Sequence, residues 1–172
     1  LIGIIVANVL ISYKGFNDFS FFRKYEFHVG SIRAGEQIRM VSSGFLHVDE
    51  THLIFNMITF YFFGPVVTNY LVNFSFVMVY FGSLIFGSLL TMLFHKEDYN
   101  YRAVGASGAV TGIIFSSILL DSRIEIFGFI PGYIYGFIYL LSSIYGIKTK
   151  KDNIGHTAHF GGAIGGYLIT LI

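Results

Sequence analysis

Six apolar runs separated by short polar segments organise this chain. They cover residues 1–13, 45–64, 71–94, 105–120, 124–147 and 155–172. A bilayer-spanning helix needs roughly 20 mostly apolar residues, and several of the runs reach that length. In lipid such a run must be helical, because only a helix or a closed barrel satisfies its backbone groups. None of the runs alternates as barrel strands do. The pattern predicts an all-α membrane protein, a six-transmembrane-helix bundle forming a single membrane domain over residues 1–172. The first run is short and begins at Leu1 rather than Met, so truncated termini are expected. Tight connections are expected near Pro65 and Asp121. A long first connection, about 14–40, carries Phe19, Phe21 and Phe22, which suit the membrane interface.

Parity orients the runs. The second, fourth and sixth all start from the same side, and their polar residues lie within their first turns. The second run carries His47, His52 and Asn56. His52 and Asn56 are spaced i, i+4 and share a helix face. The fourth opens on Gly105-Ala106-Ser107-Gly108, and the sixth carries His156 and His159. Polar and titratable groups at membrane depth are costly and usually functional. Three such groups at one depth on three parallel helices are hard to assign to packing alone. Gly108 and Gly112 on the fourth run, and Gly162 and Gly166 on the sixth, have the spacing that lets helix backbones approach closely in lipid. Gly162 and Gly166 follow His159 by three and seven residues, so they share its face. Asp49 and Glu50 are expected to cap the second helix, His28 and His95 to sit in solvent or interface, and Gly82 to face lipid or else to be a packing site itself. The Phe and Tyr stripes of the third and fifth runs are expected to be lipid-facing or packing surface.

Composition narrows the chemistry. The chain is 54% hydrophobic and 12% charged, with a formal net charge of +1. That balance gives no reason to expect a nucleic-acid partner. Cysteine is absent, which removes disulfides and thiolate metal sites. His47, His52, His156 and His159 could be imagined as a zinc set, but the spacing of His47 and His52 is not the H-E-x-x-H of zinc proteases. A metal reading also leaves the Gly-Ala-Ser-Gly segment unexplained, so no metal and no cofactor are expected. Amide hydrolysis by serine needs a hydroxyl beside a neutral imidazole, plus donors aimed at the oxyanion. Ser107, His159 and the polar face of the second run could supply these. The alternatives are a non-catalytic polytopic protein that binds transmembrane helices and a histidine-based metal binder.

Taken together, H-x-x-x-x-H-x-x-x-N at His47, His52 and Asn56, G-x-S-G at Ser107, and A-H-x-x-G at Ala158, His159 and Gly162 resemble the rhomboid intramembrane serine proteases. Residues 35–40 also resemble the family's approach to its second span. The resemblance implies a Ser107–His159 dyad with no catalytic acid. It implies an oxyanion site from His52, Asn56 and the Ser107 N–H, with His47, Gly105, Gly108, Gly162 and Gly166 in support. Substrates would be single-span membrane proteins, cut within or near the bilayer. The implied setting is a bacterial inner membrane, with the site open to the extracytoplasmic side; the oligomeric state is left open. Two features depart from the pattern. Thr111 stands where some members carry an aromatic residue that packs on the catalytic histidine, and a Trp-Arg motif of the first loop is missing. Lysine and arginine also concentrate on the side where the three motifs start, with only Arg123 opposite. The positive-inside rule would place that side in the cytoplasm, against the family's topology.

Overall fold

The computed structural model describes residues 1–149 and 155–172, apart from the side chain of Asn73. Lys150, Lys151 and most of the fifth connection lie outside the described residues. Nine α-helices appear among the described residues: α1 (Ile2–Asn17), α2 (Phe19–Tyr25), α3 (Val29–Arg33), α4 (Arg39–Ser42), α5 (Glu50–Tyr70), α6 (Asn73–His95), α7 (Ser107–Leu120), α8 (Gly132–Thr149) and α9 (His156–Thr170). Two antiparallel two-residue pairs accompany them, β1 (Phe27–His28) with β2 (Arg102–Ala103) and β3 (Glu125–Ile126) with β4 (Ile130–Pro131). The protein is a helical membrane bundle. Two stretches, Glu50–Tyr70 and Phe74–His95, are both long and apolar enough to cross a bilayer.

α7 is the axis of the bundle. Residues Gly108 to Ser117 are buried without interruption, as expected for a helix apolar all round. α5, α6, α8 and α9 pack around it. Their outer faces expose large apolar side chains, including Phe55 and Phe62 on α5, Leu89 on α6, Phe137 on α8 and Leu168 on α9. Apolar surface outside and small or polar residues inside is the distribution a bilayer favours. Hydroxyls link the inner faces: Ser116 to Thr170 at 2.7 Å, Thr91 to Thr157 at 3.1 Å, and Ser117 donating to the Phe63 carbonyl at 3.1 Å.

Several boundaries differ from the apolar runs. α5 begins at Glu50, not near residue 45, because Asp49 accepts from the His52 N–H at 2.7 Å and caps the helix there. It continues through Pro65 to Tyr70. A proline in a helix removes one backbone donor, and in membrane helices neighbouring groups make this tolerable. The fifth run opens as the β3–β4 hairpin, whose turn holds Phe127 and Gly128 at φ 57 and 75°, and α8 starts only after Pro131. Of the two expectations for Gly82 the structure favours the packing site: an added Cβ would collide with the Ile169 side chain of α9.

The first connection is structured. Glu26 is buried, pairs with Arg23 at 3.1 Å, and pairs with Arg102. Arg39 is also buried, pairs with Glu36 at 2.6 Å, and donates to the Arg23 and Glu26 carbonyls. Together with the β1–β2 pairing, this network ties the first and third connections into one cap above the helix starts.

Candidate active site

The Gly-Ala-Ser-Gly segment leads directly into α7. Gly105 has φ +132°, a region L side chains rarely adopt. An added Cβ there would also lie 2.7 Å from His52 Cε1, so the backbone turn and the imidazole both need glycine. Ala106 is the N-cap, and Ser107 opens the helix. N–H groups in a first helical turn have no partner within their own helix. The start of α7 is therefore a cluster of donors beside a hydroxyl.

His47, wholly buried, holds this segment from behind. Its Nε2 accepts from the Ala106 N–H at 3.3 Å, and its Nδ1 lies 2.9 Å from the Ser12 hydroxyl. Accepting at Nε2 requires a neutral ring with its proton on Nδ1, which then donates to Ser12. Ser12 in turn donates to the Phe45 carbonyl at 2.9 Å. With both ring nitrogens engaged, His47 has none left for a metal. Among the described residues no group of three metal-ligating side chains comes together. His52 meets the His47 ring edge-on, 4.9 Å between centroids. One turn on, buried Asn56 donates through Nδ2 to the His52 carbonyl at 2.9 Å.

α9 delivers the third motif. A Cβ on Gly108 would sit 3.2 Å from the Ala158 carbonyl oxygen, so the starts of α7 and α9 touch at residues adjacent to Ser107 and His159. Further along, a Cβ on Gly162 would collide with Gly108, and one on Gly166 with Gly112. The two helices are in backbone contact over this stretch. Ser107, His159, His52 and Asn56 all line one cavity of about 940 Å³, which reaches outward to Glu26, Asp98 and Arg102. A smaller cavity of about 170 Å³ reaches Ser107, His159 and Asn56 from another side, past Phe55, Thr59 and Tyr135. His156 packs against α8, where it fills the space a side chain at Gly146 would need. The N-cap of α9 is Gly155.

Some of the surroundings are not apparent from the motifs. His95 is half-buried and stacks on Tyr101 with centroids 3.7 Å apart. His28 bonds Ser31 through Nδ1 at 2.9 Å, and burial together with Arg102 holds its imidazole below the ordinary value. Tyr139 of α8 faces inward, its hydroxyl 3.0 Å from Thr111 Oγ1 and its ring 6.0 Å from that of His159. Only the non-aromatic Thr111 beside the histidine hints at this, since it leaves the space next to His159 to another residue.

Residues 34–172 match the family profile described as Rhomboid domain. RHOMBOID-like protein 12, mitochondrial, from Arabidopsis thaliana is 25% identical over 184 residues, covering 95% of this chain and 55% of the relative. The putative rhomboid protease YdcA of Bacillus subtilis is 32% identical over 140 residues, covering 80% of this chain and 68% of the relative. The rhomboid protease GluP of the same organism is 28% identical over 136 residues, covering 79% of this chain and 26% of its own length. This chain thus spans little more than half of the plant relative and about a quarter of GluP. The profile match and these relatives together show that the chain belongs to the rhomboid family.

Proposed function

We propose that this chain is an intramembrane serine endopeptidase that cleaves single-span membrane proteins with a Ser107–His159 dyad. The observation that carries the reading is the shared cavity: Ser107 and His159 line it from helices whose backbones touch beside both residues. Two relatives are named as rhomboid proteases or putative ones, which agrees with this reading.

In this scheme His159 takes the Ser107 hydroxyl proton as the oxygen attacks the scissile carbonyl. The developing oxyanion is held by the Ser107 N–H, the second N–H of the Asn56 amide and the His52 ring. Asn56 retains that second donor because an amide nitrogen carries two, and one is anchored on the His52 carbonyl. Collapse expels the amine, which receives the proton from His159. Water then enters and attacks the acyl carbon as it loses a proton to His159; the bond to Ser107 Oγ breaks, the acid leaves, and His159 returns the proton to Ser107. The larger cavity, polar toward the connections, suits a water path. The smaller one, bordered by α5, α7 and α8, suits a substrate helix arriving from lipid.

Six of the helices, α1 and α5 to α9, form the spans in this account. α7, at 14 residues, measures about 21 Å, shorter than the roughly 30 Å hydrocarbon core. Ser107 would therefore sit below the membrane surface. The cap side faces outward from a bacterial inner membrane. A non-catalytic helix binder would need none of the nucleophile–base arrangement.

The test is cleavage of a single-span reporter by the purified protein in detergent. Cleavage that survives a chelator and is lost in Ser107→Ala and in His159→Ala supports the proposal. Cleavage abolished by the chelator but indifferent to Ser107→Ala overturns it.

A further inference from the structure

We infer that Tyr139 of α8 is a positioning residue for His159, held in register by its hydrogen bond to Thr111. The inference rests on the proposed dyad and extends it to the element that orients the base.

An imidazole acting as base must present one nitrogen to the serine hydroxyl, and rotation about its side-chain bonds spoils that. Backbone contact between α7 and α9 sets where the His159 Cα stands but not which way the ring faces. The ring needs a surface to lie against, and Thr111, one turn beyond Ser107 on α7, offers only a small side chain on that side. The Tyr139 ring fills the space. It lies 6.0 Å from the His159 ring at an interplanar angle of 34°. Offset aromatic pairs at 4.5–7 Å are attractive beyond their buried area.

Tyr139 is itself constrained from several directions. Its hydroxyl is 3.0 Å from Thr111 Oγ1, one of the buried hydroxyls of α7. Phe115, one turn further along α7, meets its ring at 6.1 Å, and Tyr135, one turn earlier on α8, meets it at 5.9 Å. Tyr139 also lines the smaller cavity with Ser107 and His159. A ring fixed by the nucleophile's own helix and laid against the base links the orientation of the two. Thr111 and Tyr139 thus act as a pair: a hydroxyl where an aromatic would otherwise reach the histidine, and an aromatic from α8 that the hydroxyl holds.

The experiment measures reporter cleavage, kcat and KM separately, and the rate of Ser107 labelling by a fluorophosphonate. Tyr139→Leu removes the α8 ring against which His159 rests, and leaves the edge-on contact of the His156 ring at 6.2 Å in place. A misplacement of about 1 Å can cost on the order of 100-fold, so kcat and the labelling rate should each fall by about that factor while KM stays within about threefold. Tyr139→Phe keeps the ring and should recover most of the loss. Thr111→Val and Tyr139→Phe remove two ends of one bond, so the double variant should be no worse than the poorer single variant. Phe60→Leu removes a wholly buried ring packed on Phe76 and Tyr80, and shows how much rate general destabilisation costs.

Labelling of Tyr139→Leu within about threefold of the parent rate overturns the inference. So does a Phe variant as impaired as the Leu variant, or a Phe60→Leu variant that loses as much rate as Tyr139→Leu. If Tyr139→Leu does not fold, the Thr111→Val and Tyr139→Phe pair decides: full additivity of their effects overturns the inference. Failure of the parent protein itself to label or cleave would instead reject the proposed dyad.

Discussion

Gly162→Ala is the smallest change that tests how the dyad is assembled. An added Cβ at this position collides with the Gly108 carbonyl oxygen, and lies 2.7 Å from its carbonyl carbon and 3.0 Å from its Cα. These atoms are backbone, so no side chain can swing aside. Ordinary contact begins at 3.4 Å, so α7 and α9 must part by at least roughly 0.7 Å at the carbonyl carbon, and further at the oxygen. Gly108 is bonded to Ser107, and His159 lies one helical turn before Gly162. The separation is therefore applied almost directly to the nucleophile–base pair. A displacement near 1 Å is expected to cost on the order of 100-fold in rate. Overpacking of this kind also costs about 1–3 kcal/mol of stability. Gly162→Val should be worse on both counts. The control is Gly3→Ala on α1, where a new Cβ meets nothing within 4 Å. That variant should keep its rate and gain slightly in helix propensity. Reporter cleavage and thermal stability are measured in one detergent. Full activity in Gly162→Val would show that close approach at Gly162 does not hold the dyad together, and the reasoning from helix contact would be refuted.

Two further outcomes follow from the site. His159→Ala should remove nearly all cleavage, whereas His156→Ala, whose ring packs beside Gly146 on α8, should keep substantial activity; the reverse order would mean that the base is His156. Asn56→Ala and His52→Ala should each lower kcat, by as much as 100- to 1,000-fold if each donor acts alone, with KM and thermal stability little changed. Variants with native turnover and lower melting temperatures would make both residues packing clamps.

The parts of this structure that rest on helical periodicity were legible in the chain. His52 and Asn56 share a face of α5, and Gly162 and Gly166 share the face of α9 that meets α7, because spacings of three, four and seven residues fall on one side of any helix. The common side of the three motifs followed from the parity of the runs. Boundaries did not follow. Pro65 inside α5 and the β3–β4 hairpin before α8 both lie within apolar sequence, and hydropathy does not distinguish a turn from a helix there. Tyr139 was hidden for a related reason. α8 carries aromatics on several sides, so its rotation about its own axis, and hence which tyrosine meets His159, is decided by packing against α7 and α9. The Glu26–Arg102 pair and the Ser12–His47 bond join residues 76 and 35 positions apart, and no local pattern announces them. Gly82 shows the same limit: nothing local names the side chain that packs on it, which is Ile169.

The central claim is that His159 activates Ser107, and covalent labelling tests it most directly. The purified protein is treated with a fluorophosphonate, and the adduct is located by peptide mass spectrometry in the parent, Ser107→Ala and His159→Ala proteins. The account predicts one adduct, on Ser107 in the parent, absent in Ser107→Ala and reduced to background in His159→Ala. An adduct on another serine, or labelling of Ser107 that is unchanged in His159→Ala, would contradict it.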